Sequence, residues 1–179
     1  MIIGIDASNI RTGGGKKQLE DFVSSIINEF KDISFVIVSN NNVNKSFTKC
    51  NSVTCITNSL LNSNNIFSML SQILYSNSYF KKNKCDFVFV PGGIFLSRFR
   101  PFFTMSQNML PFDLEEIKGF SFIKKIKFRI NKFLQISSFN RSNGVIFLTE
   151  YAKLSIEKFL KRNTKSSIIP HGIYQNKIN

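Results

Sequence analysis

The sequence predicts an α/β domain built on a mostly parallel sheet of about six strands, with helices on both faces. Three observations lead there. Short apolar runs alternate with helical periodicities from the first residue onward. Those runs are near-continuously apolar, as strands buried on both faces are. Polar or glycine-rich segments follow them directly, where such sheets hold their ligands.

Residues 2–5 form the first run, closed by Asp6. Leu19, Phe22, Val23, Ile26, Ile27 and Phe30 then recur at the spacing of one helix face. Residues 34–38 are β-branched and apolar, and 39–44 read as a polar turn. Residues 53–56 are a weaker strand, and the Asn-rich stretch 58–65 reads as a loop. Ile66, Met69, Leu70, Ile73 and Leu74 mark a second helix. Residues 86–90 are a strand ended by Pro91, Gly92 and Gly93, and 101–105 another, followed by a loop over 107–113. From about residue 115 to 141 the pattern is one long helix with a break near Gly119. A strand at 144–148, a helix at 150–160 and a strand at 166–169 complete the chain. The segments of interest, just after strands, are therefore 8–15, 92–95, 107–113, Thr149 and His171-Gly172.

Composition narrows the chemistry. At 179 residues the chain can bury a core of its own. No apolar run approaches the roughly 18 residues that cross a bilayer. The first residues lack the basic start and long apolar stretch of a signal peptide, so the cytoplasm is the expected compartment. Cys50, Cys55 and Cys85 lack zinc-type spacing and are expected as buried free thiols. A single histidine, His171, excludes a multi-histidine metal site, and no metal is expected. The net charge of +13 suggests an anionic partner, although a chain rich in Lys, Asn, Ile and Phe also reflects A/T-biased coding.

The loop after the first strand holds Gly13, Gly14 and Gly15, followed by Lys16 and Lys17. Glycines permit close backbone approach, and a helix N-terminus offers N–H groups to a phosphate. The spacing is neither the dinucleotide fingerprint nor a P-loop, because Lys17 stands where Ser or Thr would hold magnesium. A ligand-free turn explains the loop equally well.

Four segments together resemble family 4 glycosyltransferases. They are 3–15 (IGIDASNIRTGGG), 104–112 (TMSQNMLPF), 140–153 (NRSNGVIFLTEYAK) and 168–173 (IIPHGI). The resemblance implies the N-terminal, acceptor-side half of a GT-B enzyme: a Rossmann-like three-layer domain over residues 1–173, with 174–179 opening the interdomain linker. Such enzymes retain anomeric configuration and take a nucleotide sugar as substrate, without a cofactor or required metal. Gly13, Gly14 and Gly15 would lie near the donor phosphates. Gln107 and Asn108 would face the sugars across the cleft, with His171 beside it. No catalytic residue is assigned. Many relatives carry a histidine in the Gln107–Asn108 region; an amide there can bond a sugar hydroxyl but cannot accept a proton. A turn role for Asn108 and a structural role for His171 stay open. The donor-binding half is expected to be missing. A broken gene, a split enzyme with a separate C-terminal chain and a deliberately shortened chain fit that equally.

One helix carries a second signal. Lys124, Lys125, Lys127, Arg129 and Lys132 lie in the segment 120–136. Ile123, Ile126, Ile130, Phe133 and Leu134 form one apolar stripe, while Phe128 and Ile136 fall on the opposite, basic side. An ordinary surface helix keeps that side polar. Lys124, Lys125, Phe128, Arg129 and Lys132 are therefore candidates for an anionic membrane surface, at the inner face of the plasma membrane, against a solvated charged face. Residues 98–103 (RFRPFF) add a basic-aromatic cluster. Two functions follow from different classes. The first is a glycosyltransferase half that transfers sugar to a glycan or lipid-linked acceptor in envelope polysaccharide or lipopolysaccharide synthesis, inactive alone. The second is a non-catalytic module binding an acidic glycan or anionic membrane. Nucleic acid is the least supported partner, since no recognised nucleic-acid motif is present.

Overall fold

The structure is a computed structural model that describes residues 1–113 and 116–170. Seven strands form one sheet: β1 (Ile2–Asp6), β2 (Ser34–Val38), β3 (Val53–Ile56), β4 (Phe87–Val90), β5 (Phe102–Ser106), β6 (Gly144–Phe147) and β7 (Ser166–Ile168). Their order is β3-β2-β1-β4-β5-β6-β7, and every neighbouring pair is parallel. The sheet is thus one strand larger than the expected six, and entirely rather than mostly parallel. The chain reverses its winding direction between β1 and β4, so a crevice opens at their carboxyl ends.

Helix α1 (Gly14–Glu29) connects β1 to β2, and α2 (Asn41–Asn44) with a 3-10 turn (Lys45–Phe47) connects β2 to β3. The return to β4 runs through α3 (Ser59–Asn62), α4 (Asn65–Ser71), a π turn (Gln72–Ser76) and α5 (Asn77–Lys82). Helix α6 (Phe122–Arg141) links β5 to β6, and α7 (Glu150–Glu157) links β6 to β7. Right-handed crossovers running in opposite directions place their helices on opposite faces. Helices α1 and α2 therefore share one face, and α3 to α7 the other, giving the three layers of a Rossmann-like fold.

The core follows this division. On the α1 face, Leu19 and Val23 pack with Ile3, Ile5, Phe35 and Ile37. On the other face Phe80, Phe95, Phe99 and Phe102 form an aromatic cluster with Val88 and Val90. Ring centroids lie 5.6 Å apart for Phe80–Phe99 and 4.7 Å for Phe95–Phe102. Such pairs add about 0.5–1.5 kcal/mol each beyond the area they bury. Gly4 makes this possible: a Cβ there would meet the Phe80 ring at 2.7 Å and Val88 at 2.8 Å.

Several local expectations change. The polar turn at 39–44 contains α2, capped by the Asn40 side chain, which accepts from Val43 N–H. The Asn-rich stretch contains α3 and the start of α4, capped by Asn58 and Asn64. These asparagines start helices rather than filling loops. The long helix begins at Phe122, after a 3-10 turn at Leu110–Phe112 and a turn through Gly119. The basic-aromatic cluster at 98–103 is not a surface patch, because Phe99 and Phe102 are core residues. The three cysteines are free thiols, but only Cys85 is buried.

The largest change concerns which side of two helices is inside. In α4 and the π turn the buried residues are Ser68, Ser71, Gln72 and Ser76, while Ile66, Leu70, Ile73 and Leu74 face solvent. In α6, Gln135, Ser138 and Phe139 are buried, whereas Ile123, Ile126, Ile130 and Phe133 are exposed. Phe128 and Ile136, expected on the basic side, instead face the protein. Phe128 packs on Phe120, and Ile136 joins the Phe139–Phe147 core. Hydrogen bonds explain the choice. Gln72 and Ser138 grip the segment after β4 through Leu96 N–H and Phe95 N–H. Apolar side chains cannot satisfy those backbone groups.

Candidate functional site

Three loops meet at the carboxyl edge of the sheet. After β1 the chain turns through Ser8–Thr12 into Gly13, whose φ of 72° and ψ of −149° suit only glycine. Gly14 and Gly15 form the first turn of α1, where N–H groups lack helical acceptors. After β4, Gly92 lies against Asn9, where a Cβ would come within 3.0 Å. After β5, Gln107 donates to Gln18 of α1 at 2.7 Å, and Asn108 accepts from Leu110 N–H at 3.0 Å. The turn role of Asn108 is thus realised, and its side-chain N–H₂ is left for the cavity.

These loops enclose a cavity of about 310 Å³ lined by Asn9, Arg11, Thr12, Gly15, Gly92, Gln107, Asn108 and Gln135, together with Ile10. Of the expected residues, Gly15, Gln107 and Asn108 are brought together. Gly14 instead lines an adjoining groove of about 800 Å³ with Gly15, Gln107 and Pro170. The groove's floor is apolar, formed by Phe89, Met105, Ile146 and Leu148. Gly13 caps the helix and lines neither. His171, Gly172 and residues 174–179 lie outside the described residues.

The walls are held by a buried polar network. The Asp6 carboxylate is buried and accepts from Ser8 N–H at 3.2 Å and Ser8 Oγ at 2.6 Å. Gln72 Nε2 donates to it at 2.9 Å and Ser76 Oγ at 3.0 Å. Burial pushes the Asp6 pKa above its ordinary value, while these bonds oppose the rise. Gln72 also donates to Ser8 Oγ and to Ile94 O, so one side chain ties the β1 loop to the β4 loop. It sits in a π turn, a geometry that recurs at functional sites.

Charge at the cavity is modest. Arg11 donates to Leu61 O at 2.6 Å and to Ser68 Oγ, and burial lowers its pKa. Lys16 donates to Asn42 O at 2.9 Å, and Lys17 pairs with Asp21 at 2.9 Å. The two lysines expected to help hold an anion are therefore engaged within the protein. The cavity lining contains no carboxylate. Amides and one hydroxyl dominate, which suits the donors and acceptors of a polyhydroxylated ligand. No group of three or more metal-ligating side chains occurs among the described residues.

Sequence reasoning missed Gln135. It is 6% exposed, and its amide has no hydrogen-bond partner among the described residues. Its Oε1 lies beside Gly93 of the loop after β4, where a Cβ would meet it at 3.5 Å. Its only signal was a polar residue between apolar positions, legible once the packed side of α6 is known. Asn9 and Thr12 lay within the glycine-loop segment but were not singled out. Thr149, the remaining post-strand candidate, caps α7 by accepting from Ala152 N–H.

The basic candidates on α6 divide. Lys124 and Arg129 are exposed and Lys125 is half-buried. Lys132 packs its ammonium 3.8 Å from the centre of the Phe159 ring, and burial, then Lys158, lowers its pKa. Phe128 and Lys132 thus belong to the protein's own packing. No helix of the described residues is long and apolar enough to cross a membrane. No protein-family model matches this chain, and no curated protein matches it.

Proposed function

We propose that the chain is the acceptor-side half of a glycosyltransferase of the GT-B type, working with a second domain that supplies most of the nucleotide-sugar site. One observation carries this reading. Gly15, from the start of α1, and Gln107 and Asn108, from the loop after β5, share one carboxylate-free polar cavity at the topological switch point. Gln135 lines the same cavity, and its amide has no hydrogen-bond partner among the described residues. Four amides, a hydroxyl and a guanidinium line it, so a ligand bearing hydroxyls fits there better than an apolar one.

In this reading the cavity holds sugar hydroxyls of an acceptor glycan or lipid-linked glycan. The N–H groups at the start of α1 face the donor diphosphate and would stabilise charge on the leaving group. No side chain in the cavity can act as a base at neutral pH, so its part is binding and orientation.

Affinity separates this reading from a self-sufficient binding module. Each hydrogen bond nets about 0.5–1.5 kcal/mol after exchange with water, whereas millimolar binding requires about 4.1 kcal/mol. Lys16 and Lys17 add little, being engaged already. Calorimetric titration with UDP- and GDP-sugars should therefore give dissociation constants of millimolar or weaker, with no sugar transfer. Micromolar binding, or turnover by these 179 residues alone, would overturn the proposal.

A further inference from the structure

Helix α6 is built inside out over its first three turns. At about 100° per residue, Phe122, Ile123, Ile126, Ile130 and Phe133 fall within one sector of roughly 100°. Gln135, Ser138 and Phe139, which pack against the protein, lie nearly opposite. The apolar stripe therefore points straight out, with Phe122 75%, Ile123 78% and Phe133 71% exposed. Lys127 borders it on one side, Arg129 and Lys125 on the other. Residues 117–149 contain no Asp or Glu at all.

A second outward stripe lies on the same face of the sheet. Ile66, Phe67, Leu70, Ile73 and Leu74 of α4 and the π turn are exposed, in a stretch, 51–80, that carries no charged residue. Both helices reach the carboxyl edge of the sheet: Ser68 of α4 accepts from Arg11 of the loop after β1, and Gln135 of α6 lines the cavity there. The two stripes thus flank the same edge as the polar cavity.

We propose that this face docks on a lipid bilayer rich in anionic headgroups, with the α6 stripe entering the interface and Lys125, Lys127 and Arg129 contacting the headgroups. An apolar stripe bordered by cations and free of acidic residues is complementary to such a surface. A protein partner would have to be apolar and acidic together, while a second copy would bring like charges into contact. Docking holds the cavity mouth beside the membrane surface, where lipid-linked acceptors lie. The docking itself does not depend on the sugar-transfer reading.

The chain contains no Trp, so Phe133→Trp introduces a single indole probe into the stripe. Its emission should shift to the blue with phosphatidylcholine vesicles containing phosphatidylglycerol, and not with phosphatidylcholine alone. Raising salt should weaken binding. Lys127→Gln with Arg129→Gln in the Trp variant should weaken binding about 30-fold. Ile123→Ser with Ile126→Ser should weaken it at least 10-fold. These positions are exposed, and unchanged thermal melts verify that each variant folds. No blue shift with anionic vesicles at low salt overturns the proposal. So does equal binding to neutral vesicles, or concentration-dependent self-association that the serine variant abolishes while lipid binding is absent.

Discussion

Replacing Gln72 by Leu removes the side chain that ties three segments together. Nε2 donates to Asp6, Ser8 Oγ and Ile94 O, and Oε1 accepts from Leu96 N–H at 3.1 Å. Ile94 O keeps a bond from Asn9, and Asp6 keeps those from Ser8 and Ser76. What is lost outright is one bond to a buried carboxylate and the partner of Leu96 N–H. The first costs about 1.5–3 kcal/mol and the second about 1–3, so the variant should lose roughly 2.5–6 kcal/mol. For a chain of this size that lowers the melting temperature by about 5 °C or more. The loss should also depend on pH. Burial raises the folded pKa of Asp6, so Asp6 favours folding in acid, and this contribution is lost as pH rises from the ordinary carboxylate range through the raised value. The Gln72 bond pulls the folded pKa down, and without it the pKa climbs further. The deficit of Gln72→Leu should therefore be smaller in acid, where the loss at Leu96 N–H remains, and largest at neutral pH. In an Asp6→Asn background that pH dependence should vanish, because an Asn amide can accept from Ser8 while donating to Ser76. Calorimetric melts at both pH values test this. A drop below about 2 °C at neutral pH, or an equal drop in acid, would refute the reasoning.

Two further substitutions probe the frame of the site. Gly13→Ala should cost about 1–3 kcal/mol despite open space around the position, because only glycine suits its backbone, whereas Gly14→Ala should cost nothing measurable. Equal melting temperatures for the two would show that the Gly13 conformation is not required. Gly4→Ala should cost about 1–3 kcal/mol by driving a methyl group into Phe80 and Val88, and an unchanged denaturation midpoint would contradict that packing.

Strands β1, β2, β4, β5 and β6 were legible because their residues are mostly apolar on both faces. Even the weak run at 53–56 was found, and it pairs with β2 in register from Phe35 and Val53 onward. The convergence of the loops after β1, β4 and β5 was also legible, since strand ends in a parallel sheet share one edge. Helix orientation was not. Periodicity locates an apolar stripe but assumes that it faces the core. In α6 and α4 that assumption fails, because Gln72, Ser76 and Ser138 carry the buried hydrogen bonds that secure the loops. Gln135 was hidden by the same assumption. Nor does sequence show where a lysine is spent: Lys16 and Lys132 read as free cations, and the fold uses both internally.

The central claim is that the polar cavity at the carboxyl edge is a sugar-binding half-site. Mapping amide and side-chain NH₂ signals by nuclear magnetic resonance, during titration with UDP- and GDP-sugars and with simple glycans, tests it most directly. The account predicts shifts confined to the cavity lining, residues 9–12, Gly15, Gly92, Gln107, Asn108 and Gln135, and to Gly14 beside it, saturating in the millimolar range or above, and reduced by Gln135→Leu. Shifts elsewhere, or silence at these residues while other surfaces respond, would contradict it.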